Sequence, residues 1–287
     1  MTDTLEKFLP VNDVELAWWE RGSSPAGTPT LVLVHGFTGS SHDFALVVDD
    51  LAVDRRVVLV DQRGHGHSTK TGSLAGYTIG RLVADLAGFL EEVGEGPVDL
   101  LGHSMGGRVS MGLVLSRPDL VSSVVLMDTS AWSFMPDDES SRLAKAWIEA
   151  FDPARGMPES LSLGSPEDAL IEERTPASWQ KEKDAIFAGM DAYAVKAFGM
   201  ALLADTARGE TSLRTELPSI ACPATVIAGQ HDHPLIDQAP ELASLVADGR
   251  LAVIDGAYHS PQLTHPEDWK NAVRGHLEWA DKSRGAS

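Results

Sequence analysis

Four short apolar runs recur through the first half of the chain: TLVLV at 30–34, VVLV at 57–60, VDLL at 98–101 and VVLM at 124–127. Each is about a strand long and carries apolar residues side by side rather than alternately. That is the pattern of strands buried on both faces, as in a parallel sheet covered by helices. Helical spacing fills the intervals at 43–51, 79–93 and 105–116, the last closed by Arg117-Pro118. Two further runs, 224–228 and 251–254, bracket a helix expected over 240–247. Residues 14–20 alternate, as an antiparallel hairpin strand at a sheet edge would. The fold class predicted is α/β, with a mostly parallel central sheet flanked by helices.

Between 131 and 210 the pattern changes. No strand is expected there, and helices are predicted over 139–151, 177–188 and 193–207, separated by Pro- and Gly-bearing stretches. The predicted organisation is a core domain from 1–130 and 211–287, interrupted by a helical cap at 131–210. A chain of 287 residues suits one such domain with an insertion.

The chain has 42 acidic and 23 basic residues, a net charge of −19. Such a charge repels phosphate backbones and anionic lipid, so neither nucleic acid nor membrane is an expected partner. No apolar stretch approaches the ~18 residues that span a bilayer, and the first residues lack the basic and apolar regions of a signal peptide. The single cysteine, Cys222, precedes Pro223 and reads as a small buried hydrophobe. These features predict a cytoplasmic protein with a small-molecule substrate; oligomeric state is left open.

The chemistry is concentrated after the third run. Gly102-His103-Ser104-Met105-Gly106 follows VDLL and opens a helix. A sharp strand-to-helix turn needs glycine two places either side of its central residue, where side chains would clash. A serine hydroxyl becomes nucleophilic only beside a base that a carboxylate orients. Asp232 lies just beyond run 224–228 and His259 just beyond run 251–254. Strands of a parallel sheet end on one edge, so Ser104, Asp232 and His259 are expected to converge there. Backbone N–H groups of Met105 and Phe37, the latter in the loop after run 30–34, are the expected donors to an oxyanion.

The motifs HGFTGS, DQRGHGHS, GHSMGGR, GQHD and GAYHSP together resemble the α/β-hydrolase superfamily over nearly the whole chain. The resemblance implies Ser104 as nucleophile, Asp232 as acid, His259 as base, Phe37 and Met105 as the oxyanion hole, and no cofactor. Within the superfamily the chain is most similar to small soluble esterases and lactonases, which implies hydrolysis of a small, fairly apolar ester or lactone. HGFTGS and GHSMGGR also resemble the menaquinone-pathway SHCHC synthases. The chain departs from those in having His103 where they carry Tyr, and in lacking their Arg in 127–131. The alternatives kept open are C–C hydrolysis or C–O elimination on the same fold, a cofactor-free oxygenase, and a ligand receptor.

Asp128, just beyond run 124–127, is an alternative acid. Trp132, Phe134, Trp147, Trp179 and Met190 are the expected pocket wall, since a cap over a catalytic edge supplies one. The pairs His65/His67 and His231/His233 lack metal-ligand spacing, so no metal is expected. Arg63 reads as one half of a surface ion pair.

Overall fold

Valine and leucine dominate the strands, and the sheet they build has eight. They are β1 (Lys7–Val11), β2 (Val14–Arg21), β3 (Leu31–Val34), β4 (Val57–Val60), β5 (Val98–His103), β6 (Val121–Met127), β7 (Ala224–Gly229) and β8 (Gly249–Ile254). The computed structural model describes residues 6–132, 139–158, 165–203 and 210–285. Strand order is β1-β2-β4-β3-β5-β6-β7-β8. The β1–β2 and β2–β4 pairs are antiparallel and every other pair is parallel.

The helices are α1 (Val48–Leu51), α2 (Ile79–Val93), α3 (Met105–Ser116), α4 (Glu139–Ala150), α5 (Pro166–Arg174), α6 (Ala177–Ala188), α7 (Ala192–Leu203), α8 (Glu210–Glu216), α9 (Leu235–Leu245), α10 (Pro261–Thr264) and α11 (Pro266–Gly285). Alternation along each strand sorts the core into two layers. Val32, Val34, Val58, Val60, Leu100 and Leu126 pack with Leu82, Phe89, Val109 and Leu242, from α2, α3 and α9. Leu31, Leu33, Leu59, Leu101 and Met127 face the other way, onto Phe44, Leu51, Trp269 and Val273. With both faces covered, β3, β4 and β5 are buried along their whole length.

Between β6 and β7 the described residues form helices α4 to α8 and no strand. This segment is moored to the rest of the chain at several points. Asp191 takes the Tyr77 hydroxyl and, at 2.7 Å, the Gly72 N–H, while its own N–H donates to the Gly64 carbonyl. Trp179 stacks on His42 with ring centroids 5.1 Å apart.

Two helices differ from expectation. Residues 43–51 are a 3-10 turn, Ser41–Phe44, followed by short α1, because Ser40 and Asp43 cap each other and close a tight turn first. The helix expected from 240 begins instead at Leu235, with Pro240 inside it. Arg63 is also not at the surface. Its side chain is 1% exposed and forks onto Asp85, with Nη2 2.7 Å from Oδ1.

Candidate active site

Ser104 sits between β5 and α3 with φ 53° and ψ −116°, a conformation costly for any residue with a Cβ. Hydrogen bonds to its backbone hold it, among them one from Arg108 N to its carbonyl at 3.2 Å. Its N–H reaches the Met127 carbonyl at 2.8 Å, and its own carbonyl accepts Thr129 Oγ1 at 2.6 Å and Gly107 N at 3.0 Å. The flanking glycines are required by clearance. A Cβ on Gly102 would lie 2.4 Å from the Gly106 carbonyl, and one on Gly106 would lie 2.4 Å from that of Val34. The turn therefore exists because two backbones meet where no side chain fits.

The loop after β3 passes beside this turn. A Cβ on Gly36 would stand 3.1 Å from Ser104 Cβ and 3.1 Å from His103 Nδ1. Phe37, the next residue, is half-buried against the core. Neither its N–H nor that of Met105 is taken up by another described residue. Met105 N opens α3, where a helix has no carbonyl of its own to offer.

From the far side of the sheet come the loops after β7 and β8. His259 Nδ1 lies 2.8 Å from Asp232 Oδ2. His103 Nε2 donates to the His259 carbonyl at 2.8 Å, and the two imidazole rings are 4.9 Å apart. The structure thus brings Asp232 and His259 together from the loops after β7 and β8, and places Ser104 after β5 on the same carboxyl edge of the sheet. No hydrogen bond joins Ser104 Oγ to the imidazole, a contact that commonly tightens only around bound substrate.

Electrostatics separates the two imidazoles. Burial pushes His103 down to about 3, so it is neutral. Burial opposes the charge on His259 too, but the carboxylate of Asp232, by charge and hydrogen bond, and that of Glu167 outweigh it and raise it to about 9. For Asp232, burial is likewise outweighed by its contacts with His259 and Asp128, and it stays below the usual carboxylate value.

Two further carboxyls lie near the imidazole. Asp128 accepts the Gly229 N–H at 2.8 Å on Oδ1, and Oδ2 is buried without a donor. The imidazole faces Asp232 rather than Asp128, the alternative acid. Glu167, on α5, accepts the N–H of Ser260. The sequence carries no signal for it, since it lies in the helix-opening stretch Ser165-Pro166-Glu167-Asp168, whose pattern only specifies a capping box.

The expected pocket residues scatter. Trp132 is half-buried, with the Arg214 guanidinium 5.0 Å from its ring. Trp147 is 43% exposed and stacks on Phe151, a surface aromatic pair. Trp179 is buried against His42, and Met190 is buried at the turn between α6 and α7. Phe134 lies outside the described residues. Of the histidine pairs, His67 groups with Glu6 and Asp61, ligand atoms all within 4.8 Å of one another. The Asp61 oxygens there already accept the N–H groups of Ser41 and His67.

Among known proteins, a family model described as the alpha/beta hydrolase fold matches residues 29–156. A pimeloyl-[acyl-carrier protein] methyl ester esterase from Aeromonas hydrophila subsp. hydrophila is 30% identical over 253 residues, 84% of this chain and 92% of that one. The chain belongs to the α/β-hydrolase family. This α/β hydrolase is also similar to a proline iminopeptidase from Heyndrickxia coagulans, 25% identical over 279 residues, 92% of this chain and 95% of that one. Its fold resembles the crystal structure of an enol-lactonase from Burkholderia xenovorans LB400, with a TM-score of 0.72 at 24% identity, covering 95% and 100% of the two chains. Among the described residues of this hydrolase, no single helix is long and apolar enough to cross a membrane.

Proposed function

We propose that this α/β hydrolase cleaves a small, fairly apolar carboxylic ester or lactone through an acyl-enzyme. The observation that carries the reading is the 2.8 Å contact of His259 Nδ1 with Asp232 Oδ2, beside a serine held at positive φ. Asp232 fixes the ring so that Nε2 is left to accept a proton. Ser104 Oγ passes its proton to Nε2 and attacks the carbonyl carbon. The oxygen that gains charge is met by the N–H groups of Met105 and Phe37, each such donor being worth roughly 3–4 kcal/mol in the transition state. His259 then gives the proton to the leaving alcohol, or to the ring-opened end of a lactone. A water deprotonated by the same nitrogen releases the acid and restores Ser104.

Residues 131–210 serve as the cap in this reading. Ser104 is 6% exposed, and half-buried Phe37 and Trp132 favour an apolar acyl or alcohol group. The esterase relative supports ester chemistry.

The test is turnover of p-nitrophenyl acetate, with mass spectrometry of the quenched enzyme. Ser104→Ala is expected to lose about 10⁴-fold or more in kcat with its fold intact. An acetyl group is expected on Ser104 of the unmodified protein. Near-normal turnover by the variant would refute the nucleophile, and turnover with no acyl adduct would favour a non-covalent elimination.

A further inference from the structure

Asp128 is a buried carboxyl that takes no part in the reaction steps above. It is 1% exposed, directly beyond β6, and its backbone is pinned at φ 44° by a 2.8 Å hydrogen bond from its N–H to the Ile227 carbonyl. Oδ1 is occupied by the Gly229 N–H. Oδ2 is buried and finds no N–H or O–H donor, and the Asp128 carboxyl interacts with that of Asp232. The charged groups facing Asp128 are Asp232, from the loop after β7, and Glu167, from α5. Both are acidic. The imidazoles of His259 and His103 act on Asp232.

Two carboxyls in contact in a buried site cannot both be ionised, because the second charge has neither water nor a cation to meet it. Asp232 has the imidazole, so Asp232 keeps the charge. We propose that Asp128 is a positioning residue: a neutral carboxylic acid whose Oδ2–H donates a hydrogen bond to Asp232 and so fixes the carboxylate that orients His259. The proposal rests on the assignment of Ser104, His259 and Asp232 above. An Oδ2 with a proton is no longer an orphaned acceptor, and the chain reads Asp128 O–H to Asp232 to His259 N–H. Burial and the charge of Asp232 raise Asp128 well above the ordinary carboxylate value, and Gly229 opposes this only in part. The same hydrogen bond helps to lower Asp232.

The chain has a kinetic consequence. A donor on Asp232 draws negative charge away from the imidazole, so its removal strengthens the pull of Asp232 on the His259 proton. Asp128→Ala is expected to lower kcat for p-nitrophenyl acetate about tenfold with little change in KM, and to move the acid limb of kcat/KM to higher pH. Asp128→Asn can keep both hydrogen bonds, accepting from Gly229 and donating to Asp232. It is expected to rescue kcat to within about threefold and to return the acid limb to its original pH. Infrared difference spectra of wild type minus Asp128→Asn at neutral pH are expected to carry the C=O stretch of a protonated carboxylic acid.

A second negative charge at Asp128 would give the opposite result. Asp128→Asn would then move the acid limb to lower pH, and the carboxylic-acid band would be absent; either result overturns the proposal. So would wild-type kcat and an unmoved limb in Asp128→Ala. If Asp128→Ala does not fold, the isosteric Asn variant and the infrared band decide alone. Ser104→Ala, measured beside them, separates the two failures. Turnover retained there defeats the nucleophile assignment, whereas an inactive Ser104→Ala with a down-shifted Asp128→Asn profile defeats only the role of Asp128.

Discussion

Glu167, the second residue of α5, accepts the backbone N–H of Ser260, the residue next to His259. The same helix reaches the neighbouring turn again through Arg174, which donates to the Thr264 carbonyl. Helix α5 thus grips both ends of the stretch that follows the imidazole. Its acidic residue also contributes to the raised pKa of His259.

Glu167→Gln removes that charge and keeps an oxygen to receive Ser260 N–H. Without the carboxylate the imidazolium is less favoured, so the pKa of His259 falls. The acid limb of the kcat/KM profile for p-nitrophenyl acetate is expected to move to lower pH, with kcat on the plateau little altered. An upward move would contradict the electrostatic role.

The unmodified protein should itself show an alkaline preference. In the proposed mechanism His259 acts as base only when neutral, and its neighbours raise it to about 9. The value of kcat/KM is expected to climb from neutral pH and to level off above about that point. The sign for stability is opposite. A folded-state value above the unfolded one adds stability that is complete below about 6.5 and is lost as pH rises through 9. An acid limb centred near 6.5 would show that Asp232 and Glu167 do not act on the ring as described.

The clearance at the nucleophile turn yields a structural prediction. Gly106→Ala would force a methyl group to within 2.4 Å of the Val34 carbonyl and 2.5 Å of the His35 carbonyl. Backbone on both sides makes yielding expensive, and displacement of Ser104 by an ångström costs about 10²-fold in rate. Activity is expected to fall at least that far, and thermal denaturation of the purified variant should report the lost stability. Gly275→Ala, inside α11 where a Cβ meets nothing within 4 Å, is the control expected to leave activity unchanged and to raise stability by about 0.5–1 kcal/mol.

In the loop after β4, Arg63 forms a buried ion pair with Asp85, the side chains 1% and 4% exposed. Asp85→Ala leaves a guanidinium without its main partner, and such breakage costs about 3–5 kcal/mol. Urea denaturation should register a loss of that size. A loss below about 1 kcal/mol would mean that Asp13, 2.8 Å from Arg63 Nη2, takes over the charge.

Elements whose residue pattern reports their own burial are legible in the sequence. The valine-rich runs at β3 to β7 become strands covered on both faces, as side-by-side apolar residues imply, whereas the run at β8 becomes an edge strand with Leu251 and Val253 exposed. Gly102 and Gly106 mark the turn at Ser104, since their requirement is local. Asp232 and His259 are readable because each follows a strand, and strand ends share an edge. Glu167 is not, since its role depends on how α5 docks against a loop 93 residues away. Arg63 misleads for the same reason. An arginine in a polar loop looks solvated until Asp85, 22 residues on, is seen to turn beneath it. Trp147 shows the converse, an aromatic residue on a helix that spends its ring on Phe151 at the surface.

The Asp191 mooring bears on how this scaffold could be re-engineered. Its carboxylate is engaged by Tyr77 and Gly72, and its amide by Gly64, so one position in the helices between β6 and β7 holds three points of the single connection from β4 to α2. A foreign helical cassette grafted between β6 and β7 would have to reproduce an acid at this point, or Tyr77 would be left with a buried hydroxyl and no acceptor. Exchange of the helices between β6 and β7 is therefore constrained at residue 191 before the residues at the strand ends are touched.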